Sequence, residues 1–265
     1  MHASSRLPAV FISHGSPMVA IEAGKYQDAL AAFGARVKPN AIVVVSAHDV
    51  SDAHVRISFA AEHRLIYDFG GFPRALYALE YPAKGSPELA AEIAGKLEAA
   101  GFAAELDAKR GLDHGAWIPS LLMYPKADVP VVEISLPLTL APRELFRLGE
   151  QFANLRERGI LILGSGGVVH NLALADLRRR DRPVDGWASA FDEWFQTTLE
   201  AHDMEAMFEY AESAPHSAQA VPSVEHFSPV FVVAGAASKT ATVEIIYEGF
   251  EYGNMSMRSY SLVDG

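Results

Sequence analysis

Four segments of the chain are almost continuously hydrophobic and rich in Val and Ile, instead of alternating between apolar and polar positions. They are Pro8–Ser13, Ala41–Ser46, Val129–Leu136 and Ile160–Gly164. An unbroken apolar run of this length is typical of a strand whose two faces are both covered. The pattern therefore predicts four central strands of a sheet that is buried on both sides.

Helical patterns lie between these strands. They span Gln27–Arg36, Pro87–Ala100, Pro142–Arg158 and Gly186–Ala201. Pro87 and Pro142 each stand where the first turn of a helix accepts proline, and Gly101 and Gly159 stand where a helix should end. Strands that alternate with helices predict a mostly parallel sheet with right-handed crossovers.

The C-terminal part of the chain has a different pattern. Thr242–Tyr247 and Ser256–Val263 alternate in polarity, and Gly249 and Gly253 lie between them. This pattern predicts antiparallel strands at the edge of the sheet. Since no repeat or linker interrupts the chain, we expect one α/β catalytic domain over residues 1–265, with a mostly parallel central sheet and helices on both faces.

Composition narrows the possible kinds of site. The chain has 265 residues, half of them hydrophobic, so it can bury a sizeable core. It has no cysteine, which excludes disulfides, cysteine-based zinc sites and a cysteine nucleophile. Any metal ion must therefore be held by His, Asp or Glu.

Charge and hydropathy narrow the possible partners. The 22 basic and 33 acidic residues give a net charge of −11, which argues against nucleic acid or an anionic membrane surface as the main partner. The longest apolar stretches fall far short of the ~20 residues that span a bilayer. The first residues lack the apolar core of a signal peptide. We therefore expect a soluble, cytoplasmic protein.

Histidines follow three of the predicted central strands. His14, His48 and His170 come just after the first, second and fourth of these strands, His114 lies in a loop, and His226 opens an apolar helical stretch. The carboxyl ends of parallel strands meet at one edge of a sheet, so these side chains should converge. Imidazole is the commonest metal ligand near neutral pH, and several converging at an open cleft suit iron or zinc.

The same residues carry a family resemblance. Five segments resemble, in order along the chain, the class III extradiol ring-cleavage dioxygenases, and most closely the DOPA 4,5-dioxygenase-like subgroup. These segments are His14–Pro17, Val44–His48, Tyr67–Pro73, Gly111–Trp117 and Val168–Asn171, with Glu225 and His226 following near the C-terminal end. Together they cover most of the chain.

The resemblance implies a metal site and a reaction. It places a non-haem metal at His14, His48 and His226, with His170 beside it as acid/base or fourth ligand. The reaction opens the aromatic ring of a DOPA-like or related small catechol with O₂, to a muconic semialdehyde-type product. Fe(II) would serve catalysis, and Zn(II), which binds such sites more tightly, can fill the site in purified protein.

Two further histidine roles follow from local sequence. Gly166 and Gly167 precede His170 and would let its side chain stand off the metal, so we predict that His170 is the acid/base. His114 lies between Asp113 and Gly115 and is predicted to orient the substrate or to donate to bound oxygen.

Several alternatives remain open from the residues alone. Asp49 or Glu225 could complete a two-His-one-carboxylate ligand set. Asp68–Pro73 could be only a tight loop that packs its aromatic residues, or also a wall of the catechol pocket. The same histidines could serve a zinc-dependent hydrolase, or the fold could serve a non-enzymatic binding protein. Thr242–Tyr247, as an edge strand, could pair between subunits of a homo-oligomer.

Overall fold

The Val- and Ile-rich segments form strands, and the segments between them form helices, in a computed structural model that describes residues 6–264. The strands are β1 (Ala9–Ser13), β2 (Ala41–Ser51), β3 (Val55–Ser58), β4 (Ala104–Asp107), β5 (Val131–Pro137), β6 (Ile160–Gly166), β7 (Thr242–Tyr247), β8 (Phe250–Glu251), β9 (Met255–Ser256) and β10 (Ser259–Val263). The helices are α1 (Lys25–Arg36), α2 (Arg74–Tyr77), α3 (Pro87–Ala99), α4 (His114–Met123), α5 (Pro142–Glu150), α6 (Gly186–Glu200), α7 (Met204–Phe208), α8 (Tyr210–Ser213), α9 (Ser217–Ala220) and α10 (Pro229–Ala236). Among these residues, no helix is both long and apolar enough to cross a membrane.

Eight of the strands form one mixed sheet in the order β4-β3-β5-β2-β6-β1-β10-β7. Its centre is parallel, because β2 pairs in parallel with both β5 and β6, and β6 pairs in parallel with β1. The strands β10 and β7 extend the sheet beyond β1 in antiparallel pairings. The predicted parallel centre and antiparallel C-terminal edge are both confirmed.

Helices cover both faces of the sheet, as predicted. Successive strand side chains point to opposite faces, so Val43 and Val45 pack in one hydrophobic cluster with residues of α3, α5, α6 and α10. Ile42 and Val44 pack in a second cluster with residues of α1 and α4. The central strands are therefore buried on both sides, which explains why their sequences are apolar throughout.

The predicted helix Pro142–Arg158 is wrong in its second half. The α-helix ends at Glu150, and Ala153–Arg158 forms a separate 3₁₀ turn. In this turn the Arg156 side chain is fully buried and donates to the backbone carbonyls of Leu7 at 2.6 Å and Ala236 at 2.7 Å. These carbonyls are distant in sequence, so helical periodicity could not indicate the break.

Strand boundaries also differ from the sequence prediction. The strand β2 continues to Ser51, so His48 lies within the strand and not after it. Ser256 belongs to the two-residue strand β9, and β10 begins only at Ser259. The short strands β3 and β4 were not predicted, because four-residue segments carry little periodic signal.

Candidate active site

Five histidines meet at the edge of the sheet where the central parallel strands end. His14 directly follows β1, His48 lies in the last part of β2, and His170 follows β6. His114 is the first residue of α4, and His226 lies in the turn that leads into α10. The predicted convergence of these side chains is therefore present in the structure.

Three of the rings form a nearly equilateral group. The ring centroids of His14 and His48 lie 4.9 Å apart, those of His14 and His226 5.3 Å, and those of His48 and His226 5.0 Å. The Nε2 atoms of His14 and His48 are 3.1 Å apart. Two nitrogen ligands about 2.1 Å from one ion lie roughly 2.9–3.4 Å apart in octahedral or tetrahedral geometry. The spacing therefore fits two ligands of a single metal ion.

His114 also lies close to His48 and His14. Its ring centroid is 4.0 Å from that of His48 and 5.3 Å from that of His14. One potential ligand atom on each of His14, His48 and His114 lies within 4.8 Å of those on the other two. The geometry therefore adds His114, for which the sequence predicted a substrate-facing role, to the possible ligands.

His170 stacks on His226. The two ring centroids are 3.7 Å apart and the ring planes differ by only 5°. An imidazole nitrogen binds a metal along a direction in the plane of its ring, and an ion in one of two stacked planes lies well outside the other. This geometry does not suit coordination of one ion by both rings.

The outer nitrogens of two rings have oxygen partners. The Nδ1 atom of His14 lies 2.9 Å from Ser165 Oγ, and that of His226 lies 3.2 Å from Glu225 Oε1. The hydrogen bond with His226 lowers the pKa of Glu225 to about 2, although burial opposes the shift. Such partners orient a ring and leave Nε2 for a metal, as in many metal sites.

Burial keeps three of the clustered rings neutral. It lowers the pKa of His14 well below its usual value and brings those of His48 and His170 to about 3, with neighbouring imidazoles adding to each shift. Neutral imidazole is the form that binds metal ions. At pH 7 the cluster therefore does not need to lose protons from these three rings before it binds a cation.

A β-bulge places His48. The register between β2 and β5 shifts between Val45 and Val50, and His48 lies in this interval. A bulge locally bends a strand and changes the direction of its side chains. Arg110 stabilises the bulge, because its Nη2 donates a hydrogen bond to the carbonyl oxygen of His48 at 3.2 Å.

Buried polar side chains join the bulge to the start of α4. Ser46 Oγ accepts from the backbone N–H of His48 at 3.2 Å and donates to Asp113 Oδ1 at 2.7 Å. The same carboxylate oxygen caps α4 by accepting from the N–H of Ala116 at 3.1 Å. The segments that carry His48 and His114 are therefore tied together by hydrogen bonds.

Gly166 lets the His226 turn approach β6. A Cβ atom on Gly166 would lie 2.1 Å from the carbonyl oxygen of His226, and that oxygen accepts from the N–H of Gly167 at 2.9 Å. Gly166 is itself a buried strand residue. Gly166 therefore has a packing role toward His226, and the expected effect of the Gly166-Gly167 pair on His170 stays a prediction.

The carboxylates that could have completed the ligand set have other contacts. Asp49 is 2% exposed, and its Oδ1 atom contacts the guanidinium groups of Arg56 and Arg110. Glu225 contacts the outer nitrogen of His226. These contacts favour a ligand set made of histidines.

The aromatic loop packs beside the histidines. The Phe69 ring lies edge-on to His114 with centroids 5.6 Å apart, and it also contacts the rings of Phe72 and Tyr77. The loop Asp68–Pro73 therefore packs its aromatic residues and also lies directly beside the histidine cluster.

A separate cavity of about 560 Å³ lies between α5 and α7, lined by Phe146, Met204 and Phe208 among others. None of the five clustered histidines lines it. We therefore assign the chemistry to the histidine cluster, where several metal-binding side chains converge.

The sequence did not identify the side chains that support the cluster. Ser165 lies at the end of an apolar strand and Asp113 at the start of a helix, each near a predicted site residue. A polar residue in such a position is the signal that could have identified them. Arg110 gave no such signal, because its contact with His48 joins residues 62 positions apart.

Comparison with known proteins agrees with the geometry. Residues 8–263 match the family described as the catalytic LigB subunit of aromatic ring-opening dioxygenase. The chain is 40% identical over 255 residues to a 4,5-DOPA dioxygenase extradiol of Beta vulgaris, with 94% of each chain covered. It is 35% identical to a protein of the same name from Escherichia coli K12, with 98% of this chain and 96% of the relative covered. The crystal structure of an uncharacterized Escherichia coli K12 protein, JW3007, matches 97% of this chain and 100% of its own with a TM-score of 0.82 at 31% identity.

Proposed function

The chain belongs to the LigB family of aromatic ring-opening dioxygenases, and from this membership we propose that it opens the ring of a small catechol. It is an extradiol ring-cleavage dioxygenase, as the motifs predicted. The relatives named 4,5-DOPA dioxygenase support a catechol with a DOPA-like side chain as the substrate. The proposed product is a muconic semialdehyde that contains both atoms of O₂.

The observation that carries the proposal is the group formed by His14, His48 and His226. Family members are metal-dependent, and the 3.1 Å separation of the Nε2 atoms of His14 and His48 fits two ligands of one ion. We propose that these three rings hold Fe(II). Bound iron would bring both catechol oxygens and O₂ together and relay electrons between them, which overcomes the slow reaction of ground-state O₂ with a closed-shell ring.

We assign proton transfer to His170. Its ring stacks on His226, so it stays close to the centre while its nitrogens remain out of the ring plane of that ligand. As a neutral base it would take a proton from a catechol hydroxyl and later return it to the opened product. His114 would orient the substrate, since its ring lies between His48 and the aromatic loop.

The aromatic loop would form the apolar side of the site. The rings of Phe69 and Tyr77 lie 5.3 Å apart, and Phe69 contacts His114. Aromatic side chains can pack against a flat catechol ring and exclude water from it. This role adds to the structural role of the loop.

Family membership favours ring opening over both alternatives, the zinc-dependent hydrolase and the binding protein. Zinc can still occupy the same imidazoles in purified protein. We propose that residues 1–265 act as one catalytic domain. The cytoplasmic location and the lack of nucleic-acid and membrane partners stay predictions from charge and composition.

We also propose that the chain forms a homo-oligomer through β7. This strand ends the eight-stranded sheet, and Ile245 within it is 39% exposed. An edge strand offers backbone groups that an identical strand can pair with. Light scattering of the intact protein should give a dimer mass that falls to the monomer mass in Ile245→Lys; a monomer in the unchanged protein would contradict the proposal.

A single assay tests the catalytic proposal. The protein is loaded with Fe(II) without oxygen, mixed with DOPA or unsubstituted catechol, and then exposed to air. We expect oxygen uptake and a yellow ring-opened semialdehyde, whose mass shows the addition of two oxygen atoms. Protein loaded with zinc is the control and should give no product. No oxygen uptake with any catechol by iron-loaded protein would contradict the proposal.

A further inference from the structure

Asp68 lies beside the Nδ1 atoms of two of the clustered rings, those of His48 and His114. Its Oδ2 atom is 2.9 Å from Nδ1 of His114 and 3.5 Å from Nδ1 of His48. Its Oδ1 atom accepts a hydrogen bond from the backbone N–H of His114 at 2.9 Å. One carboxylate therefore lies within ion-pair distance of both Nδ1 atoms, although the geometry makes no directed hydrogen bond to Nδ1 of His114, and it accepts a hydrogen bond from the first backbone amide of α4.

The orientation of His48 shows what this contact does. Its Nδ1 atom faces Asp68, while its Nε2 atom lies 3.1 Å from Nε2 of His14. A carboxylate beside one imidazole nitrogen favours the proton on that nitrogen and leaves the lone pair on the other. The position of Asp68 thus favours a bare Nε2 on the side where the metal would be held.

The loop that carries Asp68 is held in place independently of this carboxylate. The backbone N–H of Ile66 donates to Leu112 at 2.8 Å, and its carbonyl accepts from the indole N–H of Trp117 at 3.2 Å. The hydroxyl of Tyr67 donates to the carbonyl of Leu79 at 2.6 Å. Asp68 is therefore presented to the rings by a fixed segment, and its side chain can be changed without removing these bonds.

We propose that Asp68 is a positioning residue that keeps His48 and His114 in the Nδ1–H form and so turns the Nε2 lone pair of each toward the centre. The proposal rests on the proposed metal centre and adds a residue to it. Asp68 acts through the two rings and is not itself assigned as a ligand.

The test compares Asp68→Asn with Asp52→Asn. Asparagine keeps an oxygen for the N–H of His114 but has an N–H₂ group where the second carboxylate oxygen lies, so it favours the opposite tautomer. Asp52→Asn removes the same charge from an exposed position outside the site. The readouts are Zn²⁺ affinity by competition with a chelator, and histidine tautomers in the metal-free protein by long-range ¹H–¹⁵N NMR.

We expect Asp68→Asn to bind Zn²⁺ about 10–100-fold more weakly, the usual effect of losing such a partner. In this variant His48 or His114 should shift toward the Nε2–H form, at an unchanged melting temperature, and Asp52→Asn should resemble the unchanged protein. Unchanged tautomers in Asp68→Asn, or weaker binding only alongside a lower melting temperature, would overturn the positioning role. Both readouts are independent of turnover. An inactive iron-loaded enzyme would therefore contradict the proposed function, while Zn²⁺ affinity and the histidine tautomers would still test the role of Asp68.

Discussion

At the scale of single residues, the site is a set of imidazoles, and in four of them the Nδ1 atom lies within 3.5 Å of an oxygen atom. Ser165, Asp68 and Glu225 provide these oxygens. Burial stabilises the neutral form of His14, His48 and His170, because a charged imidazolium loses its hydration there. These three rings therefore do not need to lose protons before they bind a cation at neutral pH.

The first prediction separates the two possible third ligands. His226→Ala should lose most of the bound metal, whereas His114→Ala should keep it and lose activity, because we assign His226 to the ligand set and His114 to the substrate. Metal content per chain, measured by mass spectrometry after loading with Zn²⁺, checks this. The reverse pattern would replace His226 by His114, in line with the nitrogen distances within 4.8 Å.

The second prediction concerns His170. His170→Ala should bind metal and catechol nearly normally but lose turnover by roughly 10²–10⁴-fold, the range for removal of a general acid/base. Its ring is stacked on His226 with planes only 5° apart, which does not suit shared coordination. Metal content and turnover are measured on the same sample, with His14→Ala as the comparison. Metal loss as large as in His14→Ala would show that His170 is a ligand.

At the scale of elements, the site depends on how closely the His226 turn approaches β6. The carbonyl oxygen of His226 occupies the position that a side chain on Gly166 would fill. Hydrogen bonds join the bulge in β2 to the start of α4, because Asp113 accepts from both Ser46 and the backbone N–H of Ala116. The elements therefore hold the histidines through short contacts of backbone and small polar groups.

The third prediction tests this close packing. Gly166→Ala should lower the free energy of unfolding by about 1–3 kcal/mol, the usual cost of overpacking, and should weaken Zn²⁺ binding because His226 must move. The matched control is Gly95→Ala in α3, where a Cβ meets no atom within 4 Å. That change should raise stability by about 0.4–1 kcal/mol. Urea unfolding and chelator competition give both quantities, and a Gly166→Ala variant as stable and as tight-binding as the parent would contradict the packing role.

At the scale of the whole molecule, the buried histidines make stability depend on pH. The pKa values of His48 and His170 are about 3 in the folded protein, and that of an unfolded histidine is about 6.5. Between these values the unfolded chain binds more protons than the folded chain. The free energy of unfolding therefore falls as the pH drops below about 6.5.

The fourth prediction concerns how much the free energy of unfolding falls at low pH. Each of the two histidines should lower the stability of the metal-free protein by about 1 kcal/mol between pH 6.5 and 5.5. Urea unfolding in the presence of a chelator, at several pH values in this window, measures the slope. His170→Gln, which removes one of these groups, should have the shallower slope. Equal slopes in the two proteins would contradict the assignment.

The central architecture could be read from the sequence because it depends on local patterns. An apolar run such as Ala41–Ser46 has few conformations that bury all its side chains, and a strand covered on both faces is one of them. The order of strands and helices then left few topologies. The histidines could be placed at one edge of the sheet for the same reason, and the motifs around them identified the family.

What only the tertiary structure decided were contacts between residues far apart in the chain. Three examples are the end of α5 at Glu150, the hydrogen bond from Arg110 to the His48 carbonyl, and the approach of Asp68 to two rings. Local patterns carry no information on distances of 3 Å between segments that the fold brings together. The sequence alone therefore determined which histidines reach the site, and the packing of the folded chain decided which side chains contact and support them.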